Sequence, residues 1–180
     1  MPYKLRFFIP LFVLITGVLG VVYVVAHQNL RQGANAEQIR ISEDIAAALD
    51  QGADPKKLLP TFKVDIEKSL TPFVIIFNDQ DKVVSSTATF RGQTPVLPTG
   101  VLEHVRENGQ SRITWQPDEG IRSAIVVTRA NNGFVLAGRS LRETEKQVDM
   151  LTLEIFGAWV IINIATLIAV LLFTPLPRQK

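Results

Sequence analysis

Two uncharged apolar runs constrain this chain more than anything else in it. FFIPLFVLITGVLGVVYVVA covers twenty residues from Phe7 to Ala26, and IFGAWVIINIATLIAVLLF covers nineteen from Ile155 to Phe173. At about 1.5 Å of rise per residue, a helix of either length reaches the roughly 30 Å hydrocarbon thickness of a bilayer. A soluble domain can bury one such helix in its core. Burying two, one toward each end of 180 residues, needs far more protein than the remainder supplies. The sequence therefore predicts transmembrane helices at 7–26 and 155–174, around a central region 27–154 with its core at 35–140. Lys4 and Arg6 give the first run the basic flank of a signal peptide. Its apolar stretch is longer than the usual ~7–15 residues and bulky where cleavage needs small side chains, so an uncleaved signal anchor is expected.

Charge orients the pair. Lys4, Arg6, Arg178 and Lys180 are the only charges outside the apolar runs and the middle region. The other fifteen basic residues and all seventeen acidic ones lie between Gln28 and Glu154, a net of −2. Short basic flanks stay cytoplasmic. Segments 1–6 and 175–180 are thus expected inside, and the middle outside the inner (plasma) membrane, periplasmic or extracellular. The sequence pI near 9.0 then reflects topology signals, and no nucleic-acid partner is expected. Cysteine is absent, so neither a disulfide nor a thiolate site is available.

In the middle, NAEQIRISEDIAAALD (35–50) places Ile41, Ile45 and Leu49 four residues apart on a helix that Gly52 ends. Only Gly33 interrupts the path back to the first apolar run, so the two helices are expected to be nearly continuous. PKKLLPTFKVDIEKSLTP reads as one helical turn, then either a short helix or an extended piece with Phe62, Val64 and Ile66 alternating. PFVIIFN, the turn Asp79-Gln80-Asp81 and KVVSST form a hairpin. VLEHVREN is a short helix with Val101, Leu102 and Val105 inward. SRITWQ, IRSAIVVTR and FVLAGRS are three meander strands. The fold class is α+β: a five-stranded antiparallel sheet with a long N-terminal helix, covered on one side by helices and flanked by the two spans.

PFVIIFNDQDKVVSST, GVLEHVRENG and FVLAGRSLRETEKQV in this order make the region from Asn35 to Met150 similar to a PAS-like extracytoplasmic sensor domain, also called a single Cache domain. Such domains commonly sit between two spans in bacterial sensor kinases and chemoreceptors. The resemblance implies sensing, with a last strand that feeds a helix toward the membrane. Members of that class continue past the second span with a HAMP linker and an output domain. Here TPLPRQK follows, and Pro175 and Pro177 break any extended helix. Output is therefore expected through a membrane protein partner, a homodimer or the membrane helices themselves. The chain is also similar in tone to uncharacterised bacterial membrane proteins.

Nothing in the sequence assembles a catalytic set, so no enzyme, cofactor or metal is expected. His27 sits at the edge of the first run, and His104 lies on a helix face between Glu103 and Glu107. Ser85, Ser86 and Ser123 lack an identifiable base. Asp79 and Asp81 suit a turn. A cavity between the sheet and the loop before the short helix is expected, with Phe77, Phe90, Arg91, Trp115, Arg122, Arg129 and Arg139 as its candidate lining. Strand arginines could hold a small carboxylate ligand, with Trp115 stacking on it. The alternative is that Trp115 fills the core and the arginines cover the outside.

Within the apolar runs, Thr16, Gly17, Gly20, Asn163, Ala165 and Ala169 are the expected helix–helix contacts. Asn163 falls near mid-span and should bond either Thr16 or its own copy in a dimer, unless its own backbone carbonyls satisfy it. After the last strand, Ser140 and Glu143 read as a capping box opening a helix from Leu141 through Phe173, with Leu141, Val148 and Leu151 on one stripe. That helix and the first would run side by side as a stalk. Two functions fit: a sensory or regulatory module acting through a membrane partner, or an accessory scaffold subunit that senses nothing.

Overall fold

The computed structural model describes residues 3–174, so the expectations for Pro175, Pro177, Arg178 and Lys180 lie outside the described residues. The chain divides into two compact units, one from Arg31 to Glu145 and one made of the residues up to Leu30 with those from Lys146 onward. It is an α+β fold with a long N-terminal helix, α1, spanning Leu5–Asp50.

α1 ends where the sequence places its stop. The N–H of Gly52 donates to the Leu49 carbonyl at 2.9 Å, and that of Ala53 to the Ala48 carbonyl at 3.0 Å. This 5→2 and 6→1 pair needs a left-handed residue between helix and loop, and Gly52 supplies it at φ 89°. Asp54 caps the single turn α2 (Pro55–Leu58), its carboxylate accepting from Lys56 N at 3.0 Å. Beyond it the chain takes the extended alternative. β1 (Val64–Asp65) pairs in parallel with β4 (Ala88–Thr89), which buries Val64 and Ile66 and leaves Phe62 exposed.

The main sheet comprises β2 (Phe73–Asn78), β3 (Val83–Ser86), β5 (Gln110–Asp118), β6 (Ile121–Ala130) and β7 (Gly133–Ser140). Its order is β3-β2-β7-β6-β5, and every pairing is antiparallel. The one-sided helical cover expected from the sequence is not what forms. FVIIFN and FVLAG are continuous apolar runs without a polar alternate, so both faces of their strands require burial. Phe73, Ile75, Phe77, Trp115, Ile125, Val127, Phe134 and Leu136 fill one face with Val105 of α3 (Val101–Asn108), against which Val101 and Leu102 also pack. Val74, Ile76, Val135 and Ala137 fill the other, under Ala46, Ile41, Ile45 and Leu49 of α1. The result is a sheet between two helical layers.

Close packing at the centre depends on a missing side chain. A Cβ on Gly138 would come within 2.4 Å of the Phe73 ring and 2.8 Å of Ile125 Cγ2. The Phe73 ring occupies that space and meets Trp115 edge-on, with centroids 6.5 Å apart.

After β7 the chain enters α4 (Arg142–Phe173). The expected capping box does not close. Ser140 Oγ accepts from Arg142 N at 3.4 Å, but Glu143 turns to the Arg139 guanidinium at 3.1 Å instead of reaching back. A charged partner four residues away outcompetes a neutral backbone N–H.

In the other unit, the first part of α1 and most of α4 lie antiparallel. Lys4 Nζ donates to the Leu171 carbonyl at 2.6 Å, Trp159 Nε1 to Thr16 Oγ1 at 2.9 Å, and Thr152 Oγ1 to the Tyr23 hydroxyl at 3.5 Å. Each pair of numbers sums to 175, which is the register of the contact. Both helices are long and apolar enough to cross a membrane.

Candidate functional site

A cleft of about 420 Å³ opens between the β2–β3 hairpin, the 94–100 loop and the start of α3. The loop is the one before the short helix, and of the lining expected for a cavity against the sheet only Phe77 is found in this cleft. Its walls are apolar (Phe77, Val83, Pro95, Val96, Leu97 and Leu102), and Asp81 and Glu103 supply its carboxylates. Val96 at the loop tip is 86% exposed, although the neighbouring Leu97 packs on the core.

Arg106 organises the rim, a role that sequence reasoning did not assign to it. Its guanidinium reaches Asp81 Oδ1 at 2.8 Å and Glu103 Oε2 at 2.7 Å, and lies 5.1 Å from the centroid of the buried Phe134 ring. Arg129 donates to the Arg106 carbonyl. One residue of α3 thus joins the helix to the hairpin turn and the sheet. Each half-exposed ion pair contributes roughly 0–1 kcal/mol, and the ring contact about as much again. The turn is pre-shaped to receive it. Asn78 Oδ1 accepts from Gln80 N at 3.0 Å and Lys82 N at 2.9 Å, and Asp81 holds φ 61°, a conformation that Asp tolerates. The Glu103–Arg106 spacing of three on a helix was the available signal, but its partner Asp81 lies on another element.

The seven residues proposed as a ligand-binding set do not converge. Phe77 lines the cleft. Phe90 packs beside the core, and Trp115, 4% exposed, is part of it. Arg91, in the left-handed region at φ 51°, stacks on Phe90 and pairs with Asp118 at the β5–β6 turn. The Glu119 N–H first, and the Arg91 charge second, hold the Asp118 carboxyl below its usual range. Arg122 binds Glu145 at 2.5 Å. Arg139 bridges Glu37 and Glu143, each at 3.1 Å. Successive side chains along a strand alternate faces, so Arg122 and Arg129, seven residues apart on β6, point to opposite sides of the sheet. Arg139 pairs in register with Ala124 and shares the α1 side with Arg122. The arginines answer carboxylates and carbonyls of the protein itself. His104 faces Asn108, its Nδ1 3.3 Å from the amide nitrogen.

Among the membrane-type candidates, Asn163 is in the helix contact, 8% exposed, but it does not bond Thr16. Its Nδ2 donates to the Trp159 carbonyl of its own helix at 2.8 Å, and its Oδ1 has no partner among the described residues. Thr16 is taken by Trp159, whose ring also meets Phe12 edge-on at 5.8 Å. Gly17 and Gly20 do not take part in this contact. Nothing lies within 4 Å of where their Cβ atoms would be. Ala165 is exposed, and Ala169 lines an apolar groove between the helices. The contact between the helices is instead carried by Phe12, Thr16, Tyr23, Thr152 and Trp159.

No protein-family model, no curated protein and no solved structure matches this chain.

Proposed function

We propose that this chain is a membrane-anchored, extracytoplasmic sensory or regulatory module that acts through a membrane partner and carries out no catalysis of its own. The observation that carries the reading is the helix pair. Its outer side chains are apolar and exposed all round, among them Val13 at 63%, Leu14 at 62%, Val21 at 65% and Ile161 at 69%. Such a surface is unstable in water and suits lipid. Lys4 and Arg6 at one end favour a cytoplasmic N-terminus. The long helix, hairpin, intervening helix and three-strand meander support a PAS-like reading of the central domain. β7 passes to α4 across a single residue, so a change at the sheet acts directly on a helix that continues into the apolar segment.

A second reading, an accessory subunit that senses nothing, draws support from the filled core and the internally paired arginines. Two experiments test the proposal. Because the chain has no cysteine, a single cysteine at Val96 reports topology. It should react with an impermeant maleimide in intact spheroplasts, whereas labelling only after lysis refutes the orientation. Co-purification in mild detergent should then recover a signalling or transport protein. Recovery of a purely structural complex supports the accessory reading, and a protein that purifies alone refutes dependence on a partner.

A further inference from the structure

The two edges of the sheet are built differently. β3 is four residues long, is bulged against β2 between Ile76 and Phe77, and has Lys63 Nζ donating to its Ser86 carbonyl. Those are the devices that keep an edge from pairing with other chains. β5 at the opposite edge is nine residues long and keeps unbroken register with β6 from Gln110 to Trp115. Its bulge and Pro117 come only after that run, and Arg112 is the only charge within it.

Two hydrogen bonds fix which backbone groups of β5 face outward. Leu141 N donates to the Arg122 carbonyl, so the even-numbered residues of β6 exchange bonds with β7. Alternate residues of a central strand bond opposite neighbours, so the odd-numbered ones bond β5. Arg129 N donating to the Gly109 carbonyl at 2.8 Å agrees. Through the register Ser111–Val127, Ile113–Ile125 and Trp115–Ser123, the odd residues of β5 turn inward to the sheet. The N–H and C=O groups of Gln110, Arg112 and Thr114 therefore point to the open edge. No backbone or side-chain hydrogen bond from another element reaches them among the described residues.

We propose that this edge is the pairing surface for a second copy of the chain, with β5 meeting β5 antiparallel about a twofold axis to form one continuous sheet across the dimer. The occupant follows from self-complementarity. Centring the axis on Ile113 sets Arg112 opposite Thr114, so these two outward-facing residues exchange paired hydrogen bonds with the copy in both directions. The same register keeps the two arginines from facing each other, and it brings the two Ile113 side chains together as a non-hydrogen-bonded pair. The blunted β3 edge disfavours head-to-tail addition of β5 onto β3, so pairing closes as a dimer and does not propagate.

The test uses the full chain in membranes with an added oxidant, and the natural lack of cysteine makes every introduced thiol unique. Ile113→Cys should form a disulfide-linked dimer, since facing non-hydrogen-bonded residues lie about 4.5 Å apart. Co-expressed Arg112→Cys and Thr114→Cys should cross-link each other. Neither should cross-link alone, because like positions then lie more than about 7 Å apart. Gln116→Cys, displaced along the strand from its own copy, should stay monomeric. Thr114→Pro removes an outward N–H without touching the β6 ladder and should abolish the Ile113→Cys dimer. The cysteine pattern stands as a test even if that proline variant fails to fold. A monomer throughout overturns the proposal and leaves the edge to a strand of another protein. Cross-linking equal at Gln116 and Ile113 also overturns it, because contact then arises from the apolar helices and not from β5.

Discussion

Gln38 offers the sharpest test of the packing described for the α1 layer. It is 0% exposed, and neither its Oε1 nor its Nε2 has a hydrogen-bond partner among the described residues. Ser42, one turn further along α1, solves the same problem by pairing with Thr128 Oγ1 at 2.8 Å and with the Ile39 carbonyl at 3.0 Å. A buried amide without partners costs roughly 1–3 kcal/mol on the scale of protein mutational data. Gln38→Met keeps the length and straight-chain shape of the side chain and has nearly the same helix propensity, so removal of the amide is the main change. The expected result is a gain of about 1–3 kcal/mol in the stability of the sheet domain. Hydrogen exchange of the β6 and β7 amides in the detergent-solubilised full chain should slow by about five- to over a hundredfold. Unchanged or faster exchange refutes the reasoning: the Gln38 amide would then be hydrogen-bonded in solution, to ordered water or after a shift of α1.

Other outcomes follow from single contacts. Gly138→Ala should destabilise the domain by about 1–3 kcal/mol through overpacking against Phe73. Adding Phe73→Leu should recover part of that loss in a double-mutant cycle, and strictly additive effects would contradict the contact. Trp159→Phe keeps the ring but loses the 2.9 Å bond to Thr16, and should weaken the helix pair by about 0.6 kcal/mol. Thr16→Val should cost nothing further in that background. Asp118 is ionised more readily than usual, so the stability tied to it is present above the ordinary carboxylate value of 3.8 and is lost as pH falls below it. Arg91→Ala should move its carboxyl titration, followed by NMR, upward toward 3.8 without reaching it, because the Glu119 N–H remains.

The order of elements was legible in the sequence because local signals carry it. Apolar runs set the strands, Gly52 stops α1, Gly109 closes α3, and the spacing of Ile41, Ile45 and Leu49 marks the face of α1 that meets the sheet. The double-sided burial of β2 and β7 was also written in FVIIFN and FVLAG, as was the separation of Arg122 and Arg129 by an odd number of residues. What each polar group bonds was not legible. Glu37 meets Arg139 across 102 residues, Asp81 meets Arg106 across 25, and Trp159 takes Thr16 across 143. Periodicity determines which face a side chain occupies, but its partner depends on the register between elements distant in the chain. Only the tertiary structure sets that register, so the arginines proposed for a carboxylate ligand meet partners within the domain while the strands that carry them stay where the sequence placed them.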